Sequence, residues 1–335
     1  MHLDTMTQAR SRVLWQQELA GAFTAVEALL DFLGIPAAGR AGVLAQASDF
    51  RLLVPRGFAE LMRRGDPHDP LLRQVLPLRA ESAAADGFGT DPVGELAACT
   101  DGGLLRKYHG RALLIATGGC AVHCRYCFRR HFPYATLPAR GALDAALAEL
   151  AAATDVHELI LSGGDPLLLD DHALADLLGR VAGMAHLRRI RVHSRLPIVL
   201  PSRVTPALGR LLAAQPQRCV LVIHANHPAE LGAAAADALA ALGEAGVTLL
   251  NQSVLLRGVN DDADCLTALS ERLFDCGVLP YYLHQLDPVA GAAHFAVDDA
   301  RARTLATALR SRLPGYLTPL LVRELPGAGS KLPLL

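Results

Sequence analysis

Three cysteines stand close together in the run Gly118-Gly119-Cys120-Ala121-Val122-His123-Cys124-Arg125-Tyr126-Cys127. Thiolates are soft ligands, suited to iron–sulfur clusters and to zinc. An iron–sulfur cube normally takes four protein thiolates, so a set of three leaves one iron open to bind a ligand directly. Two other readings fit the same residues: a zinc site completed by His123 or His131, and buried thiols without a metal. The other cysteines, Cys99, Cys219, Cys265 and Cys276, are isolated in sequence and read as small packing residues.

A second reactive group lies near the carboxyl end. Lys331 follows the turn Pro326-Gly327-Ala328-Gly329-Ser330, and the chain holds only one other lysine, Lys107. An amine beside Gly-rich backbone can approach a flat ring and condense with an aldehyde such as pyridoxal phosphate (PLP). The plain alternative is a solvated lysine in a frayed tail.

These groups need a scaffold. Residues 1–105 show no strand–helix alternation. Apolar residues recur at helical spacing over 13–33, Gly34-Ile35-Pro36 stops them, and a short helix is expected over 38–47. Turn-rich stretches follow, Val54-Pro55-Arg56-Gly57-Phe58 and Asp66-Pro67-His68-Asp69-Pro70. This part reads as a helical N-terminal extension. Over 106–335 the pattern changes to short apolar strands, expected at 112–116, 158–161, 190–192, 219–224, 247–254 and 279–285, separated by helical segments. Parallel strands require such crossovers. Six βα units predict an α/β fold, a partial (β/α)6 TIM-like barrel, whose chemistry would sit at the carboxyl ends of the strands. A doubly wound sheet is the runner-up, weakened because no Gly-x-Gly-x-x-Gly follows a strand.

Composition narrows the classes of partner. Of 335 residues 51% are hydrophobic and 19% charged, and the net charge of −1 gives no general attraction to a polyanion, which argues against bulk nucleic-acid binding. No apolar run is long enough to span a bilayer, and the amino terminus lacks the pattern of a signal peptide, so a cytoplasmic location is expected. Seven cysteines, an odd number with one cluster, argue against a disulfide framework.

The Cys-x-x-x-Cys-x-x-Cys spacing, with Tyr126 before its last Cys, resembles the signature of the radical S-adenosylmethionine (SAM) superfamily. That resemblance implies a [4Fe-4S] cluster on Cys120, Cys124 and Cys127 whose open iron chelates SAM, and a radical able to take hydrogen from an unactivated carbon. Ser162-Gly163-Gly164-Asp165-Pro166 resembles the superfamily's motif for the SAM amino group. Gly163 and Gly164 would permit close backbone approach, and Asp165 could accept from an ammonium.

Further stretches, among them Arg106-Lys107-Tyr108-His109-Gly110-Arg111, Phe128-Arg129-Arg130, Asn251-Gln252-Ser253 and the Gly-rich Lys331, together resemble the lysine 2,3-aminomutase family, over most of the chain. The family resemblance implies SAM and PLP as joint cofactors, Lys331 as the imine-forming lysine and Arg111 and Gln252 as PLP contacts. It further implies that Arg129 pairs with the substrate carboxylate, and that Asp287 and Glu324 hold the side-chain ammonium of L-lysine. A planar guanidinium suits a carboxylate, and two anions suit a cation while repelling an acidic side chain. Glu324 stands where the family usually has Asp.

The short length, with Val54 to Phe58 and His123 to Tyr134, resembles the bacterial branch that supplies β-lysine for modifying translation elongation factor P. The long members' C-terminal zinc-ligand cysteines are expected to be absent. The expected partners are L-lysine, a flavodoxin or ferredoxin as electron donor, a functional link to elongation factor P and its lysyl ligase, and a second copy of the chain in a homo-oligomer. No nucleic acid or membrane partner is expected. Aminomutases of glutamate or of free lysine, and a non-catalytic metal or iron–sulfur module, remain as alternatives.

Overall fold

The computed structural model describes residues 14–43, 50–100, 103–136 and 141–334. Nine strands lie in one sheet in sequence order: β1 (Leu104–Leu105), β2 (Arg111–Thr117), β3 (Glu158–Gly163), β4 (Arg189–Ser194), β5 (Arg218–Ile223), β6 (Thr248–Val254), β7 (Leu279–His284), β8 (Leu320–Arg323) and β9 (Leu332–Pro333). Strands β2 to β8 pair in parallel, while β1 and β9 add antiparallel edges. The expected strands all form as β2 to β7, and β1, β8 and β9 are additional.

Helices supply the crossovers between parallel strands: α1 (Gly141–Ala152), α2 (Asp171–Ala182), α3 (Pro206–Ala213), α4 (Ala233–Glu244), α5 (Ala263–Asp275) and α6 (Asp299–Arg312). Four of them start on a side chain that accepts from an otherwise unpaired backbone N–H. Asp170, Thr205, Asp262 and Asp298 cap α2, α3, α5 and α6, and Pro206 opens α3 where its missing N–H costs nothing. The result is a partial barrel of the α/β class, with six βα units leading into β8.

The segment before the barrel is less regular than its periodicity suggests. The expected helix over 13–33 is two helices, 14–20 and Val26–Phe32. Between them Phe23 pairs with Val54 in an isolated bridge, its N–H 2.8 Å from the Val54 carbonyl. The helix expected over 38–47 is a short 3-10 turn, Ala37–Arg40; positions 44–47 of it, and position 13, lie outside the described residues. This segment shares the barrel's core: Trp15, Phe23, Leu29, Phe58 and Leu72 belong to the same buried apolar cluster as Leu114, Leu159 and Ile190. Among the described residues no helix is long and apolar enough to cross a membrane.

Candidate active site

The strands end on one cavity of about 250 Å³, and all twelve sequence-derived site residues line it. They are Cys120, Cys124, Cys127, Arg111, Arg129, Gly163, Gly164, Asp165, Gln252, Asp287, Glu324 and Lys331. That volume far exceeds the roughly 30 Å³ share of one water molecule, so the space suits organic ligands.

The cysteine loop leaves β2 and is held from behind. Arg125 and Arg130 share the carboxylate of Glu81, Arg125 through Nε at 2.8 Å and Arg130 through Nη2 at 2.8 Å. The Arg125 guanidinium also donates to the Phe50 carbonyl at 2.6 Å. With the arginines anchored on the extension, Cys120, Cys124 and Cys127 line the cavity.

Burial, reinforced by the neighbouring sulfurs, pushes Cys127 up to about 12 and Cys120 higher still. Such crowded thiols need a cationic centre to ionise together, and iron supplies one. Among the described residues no three His, Cys, Asp or Glu side chains gather closely enough for a single metal ion. A cube spreads its thiolates over several irons, so three thiolates on one loop would each hold a different iron. Both candidate histidines are also engaged elsewhere, His123 Nδ1 on the Arg51 carbonyl at 2.8 Å and His131 Nε2 on the Ala290 carbonyl at 3.0 Å.

The Gly-Gly-Asp turn after β3 supports this loop. A Cβ on Gly164 would lie 2.0 Å from the Gly119 carbonyl oxygen, and one on Gly163, at φ +117°, would lie 2.6 Å from the Thr117 carbonyl. The close approach that the glycines permit is therefore to the cysteine loop itself, sealed by Gly164 N–H to Thr117 O and Asp165 N–H to Gly119 O, both 2.7 Å. The Asp165 carboxylate accepts from Ser194 Oγ and from the N–H groups of Leu167, Arg195 and Leu196 at 2.7–3.2 Å. It joins the ends of β3 and β4, and burial raises it to about 6 despite those donors.

Arg129 is buried in a two-point pair, its Nε and Nη2 each 2.6 Å from an oxygen of Glu95. Its Nη1 donates to Ser162 Oγ at 2.9 Å and to the Gly163 carbonyl at 3.2 Å. Burial opposes the charge, but Glu95 overrides it and raises Arg129 further. The guanidinium edge assigned from sequence to a substrate carboxylate is thus occupied by Glu95, and one Nη2 hydrogen remains to offer.

At the opposite end β8 and β9 form a hairpin in the register Val322 to Pro333 and Arg323 to Leu332, which places Glu324 across from Lys331. Lys331 Nζ donates to Glu324 Oε2 at 2.5 Å, and Lys107 Nζ donates to Glu324 Oε1 and, at 2.7 Å, to the Val93 carbonyl. Burial pulls Glu324 upward, but Lys331 and then Lys107 overcome it and hold it down to about 2. Among the described residues Asp287 forms no such pair, and burial, with Glu324 second, pushes it up to about 7. Arg111 stacks its guanidinium 5.0 Å over the Tyr108 ring.

Three imidazoles complete the lining. His193, His224 and His284 stand at the ends of β4, β5 and β7, each with a buried Nε2 that has no partner among the described residues. Burial drives all three down, His224 to about 3, so they are neutral. Unpartnered buried nitrogens fit a polar ligand. These residues, with Glu95 and Lys107, escaped the sequence assignment. The histidines' position after predicted strands was the available signal.

A barrel sheet ending on a three-cysteine loop defines an iron–sulfur protein of the partial-barrel class, and residues 109–192 match a 4Fe-4S single cluster domain. The chain is 50% identical over 327 residues, 97% of its length and 95% of the relative's, to an L-lysine 2,3-aminomutase of Escherichia coli. It is 45% identical to one of Haemophilus influenzae, covering 95% of this chain and 94% of that one. With one of Clostridium subterminale it shares 32% identity over 96% of this chain and 77% of that one. The chain belongs to the lysine 2,3-aminomutase family.

Proposed function

We propose that the protein is a radical SAM and PLP-dependent lysine 2,3-aminomutase that converts L-α-lysine to β-lysine. The observation that carries this reading is the single cavity lined by three cysteines, Lys331, Arg129 and two carboxylates. The cluster with SAM, and PLP, when bound, supply hydrogen-atom abstraction and delocalisation of an unpaired electron.

The chain's own residues bind, orient and enclose. Cys120, Cys124 and Cys127 would hold the cluster, with Gly163 and Gly164 keeping their loop against β3. Lys331 would hold PLP through its amine, with Arg111, Gln252 and the unpartnered imidazoles as polar contacts. Asp287 and Glu324 present negative charge to a side-chain ammonium, and Lys107 offsets part of it, so a cation is favoured over an acid. Arg129, fixed by Glu95, Ser162 and Gly163, would point its remaining N–H at the substrate carboxylate. The largely apolar walls exclude water from reactive groups.

The reading extends to the EpmB branch: β-lysine destined for elongation factor P, in the cytoplasm, with a flavodoxin- or ferredoxin-type reductant and a homo-oligomeric enzyme. The stretches Val54 to Phe58 and His123 to Tyr134 support it. Anaerobic reconstitution with iron, sulfide, PLP and SAM, then product analysis from isotopically labelled lysine, tests the activity. β-Lysine is expected, and conversion of glutamate but not lysine would overturn the substrate. Elongation factor P that gains β-lysine only when this chain is co-expressed with the lysyl ligase tests the destination.

A further inference from the structure

We infer that Arg195 sets the reduction potential of the cluster by donating a hydrogen bond to the sulfur of Cys124, with Glu230 and Gln74 fixing the guanidinium in that pose. The inference rests on the reading that Cys120, Cys124 and Cys127 hold an iron–sulfur cluster.

The geometry is specific. Arg195 follows β4, is 6% exposed, and places Nη1 2.7 Å from Cys124 Sγ. Its Nη2 donates to Gln74 Oε1 at 2.7 Å and to Glu230 Oε2 at 2.9 Å. Its backbone N–H is tied to Asp165 at 2.7 Å. Glu230 is wholly buried and its other oxygen accepts from Gln74 Nε2 at 2.9 Å, Asn226 N–H at 3.0 Å and His227 N–H at 3.1 Å. Asn226 Nδ2 reaches the Tyr126 hydroxyl at 2.7 Å, returning the network to the cysteine loop. Gln74 comes from the extension and also receives the Arg125 N–H on its backbone carbonyl at 2.8 Å. Two elements remote in sequence thus aim one cation at one sulfur.

The consequence follows from charge. Reduction moves one electron from a low-potential donor onto the cluster, and no bond breaks. Negative charge on the sulfurs rises, so a cationic donor on Cys124 stabilises the reduced form and raises the potential. Glu230 opposes that cation and lowers the potential. Arg195 acts on the cluster through Cys124 and is a positioning residue for its electronics.

The test is an EPR-monitored redox titration of the full-length protein, reconstituted anaerobically with iron and sulfide, against variants Glu230→Gln and Arg195→Gln/Glu230→Gln. The double variant leaves no unpaired buried charge, so it is the one best able to fold. Glu230→Gln is expected to shift the potential positive of wild type. The double variant should lie negative of Glu230→Gln by at least a tenfold change in the reduced-to-oxidised ratio, about 59 mV for one electron. Arg195→Lys, which keeps charge but loses the fork, should fall between. Equal potentials in the Glu230→Gln and double variants, or in Arg195→Lys and wild type should the double variant bind no iron, would overturn the inference. A wild-type chain that binds no cluster would overturn the underlying reading instead.

Discussion

Glu324 and Lys331 face each other across the mouth of the β8–β9 hairpin, with Nζ 2.5 Å from a carboxylate oxygen. Lys107 occupies the other oxygen of the same carboxylate. The two lysines of the chain therefore converge on one acid, inside the cavity that also holds the cysteines.

The first prediction follows from that convergence. Glu324 lies at about 2 in the folded protein, against an ordinary value of 4.5. A lowered carboxylate contributes stability fully above the unfolded value and loses it as pH falls through the folded one. The size is ~3 kcal/mol. Urea unfolding should show Glu324→Gln weaker than wild type above about pH 5, with the gap closing as pH falls toward 2. A gap that stays constant over that range would refute the pairing as its source.

Asp287 behaves oppositely. It is raised to about 7, so it is mostly protonated below neutrality and can hold an ammonium only as pH rises through that value. A lysine side chain stays charged to about pH 10. Lysine binding measured by calorimetry should therefore tighten from pH 6 to 8, by up to about tenfold per pH unit below 7. Asp287→Asn should bind weakly and flatten the profile. An unchanged profile in that variant would remove Asp287 from the ammonium site.

The Glu95–Arg129 pair predicts a stability effect. Both side chains are nearly buried, 6% and 5% exposed, so removing the acid leaves an uncompensated charge. Glu95→Gln should cost about 3–5 kcal/mol in denaturant unfolding. Glu95→Asp, which keeps the charge, should recover part of the loss. If Glu95→Gln and wild type unfold at the same denaturant midpoint, Arg129 is not held by this acid.

The parts of this protein that were legible in sequence are those whose chemistry is local. The cysteine spacing, the Gly-rich turn before Lys331 and six strands of alternating or continuous apolar residues each announce themselves within a dozen positions. Strands β1, β8 and β9 did not, because two to four residues each carry too little pattern, and β8 is followed by a hairpin rather than a helix. The helix expected over 13–33 failed at Phe23, whose partner Val54 is a tertiary neighbour. Glu95 and Arg129 are 34 positions apart, and Gln74 and Glu230 are 156 apart. Nothing near any of them in sequence marks the pairing. Asp165 and Glu324 were legible as site residues, but the bonds that engage them come from other strands and from Lys107.

The last prediction concerns the glycine that lets the cysteine loop close. Gly164 sits where an added Cβ would come within 2.0 Å of the Gly119 oxygen, 2.6 Å of the Gly119 carbon and 2.8 Å of the Gly118 carbon. All three atoms are backbone, so no side chain can swing aside, and Gly164→Ala must push the loop off β3. That movement breaks the bonds from Gly164 N–H to Thr117 and from Asp165 N–H to Gly119, and it displaces Cys120 directly. Overpacking of this kind costs about 1–3 kcal/mol and more where backbone must shift. Gly183→Ala is the control, because a Cβ there meets nothing within 4 Å. Gly164→Ala should lose most of its bound iron after anaerobic reconstitution and unfold at lower denaturant, while Gly183→Ala should retain wild-type iron. Full iron content in Gly164→Ala would mean that the cysteine loop is positioned without this turn, and that the glycine pair must act elsewhere in the cavity.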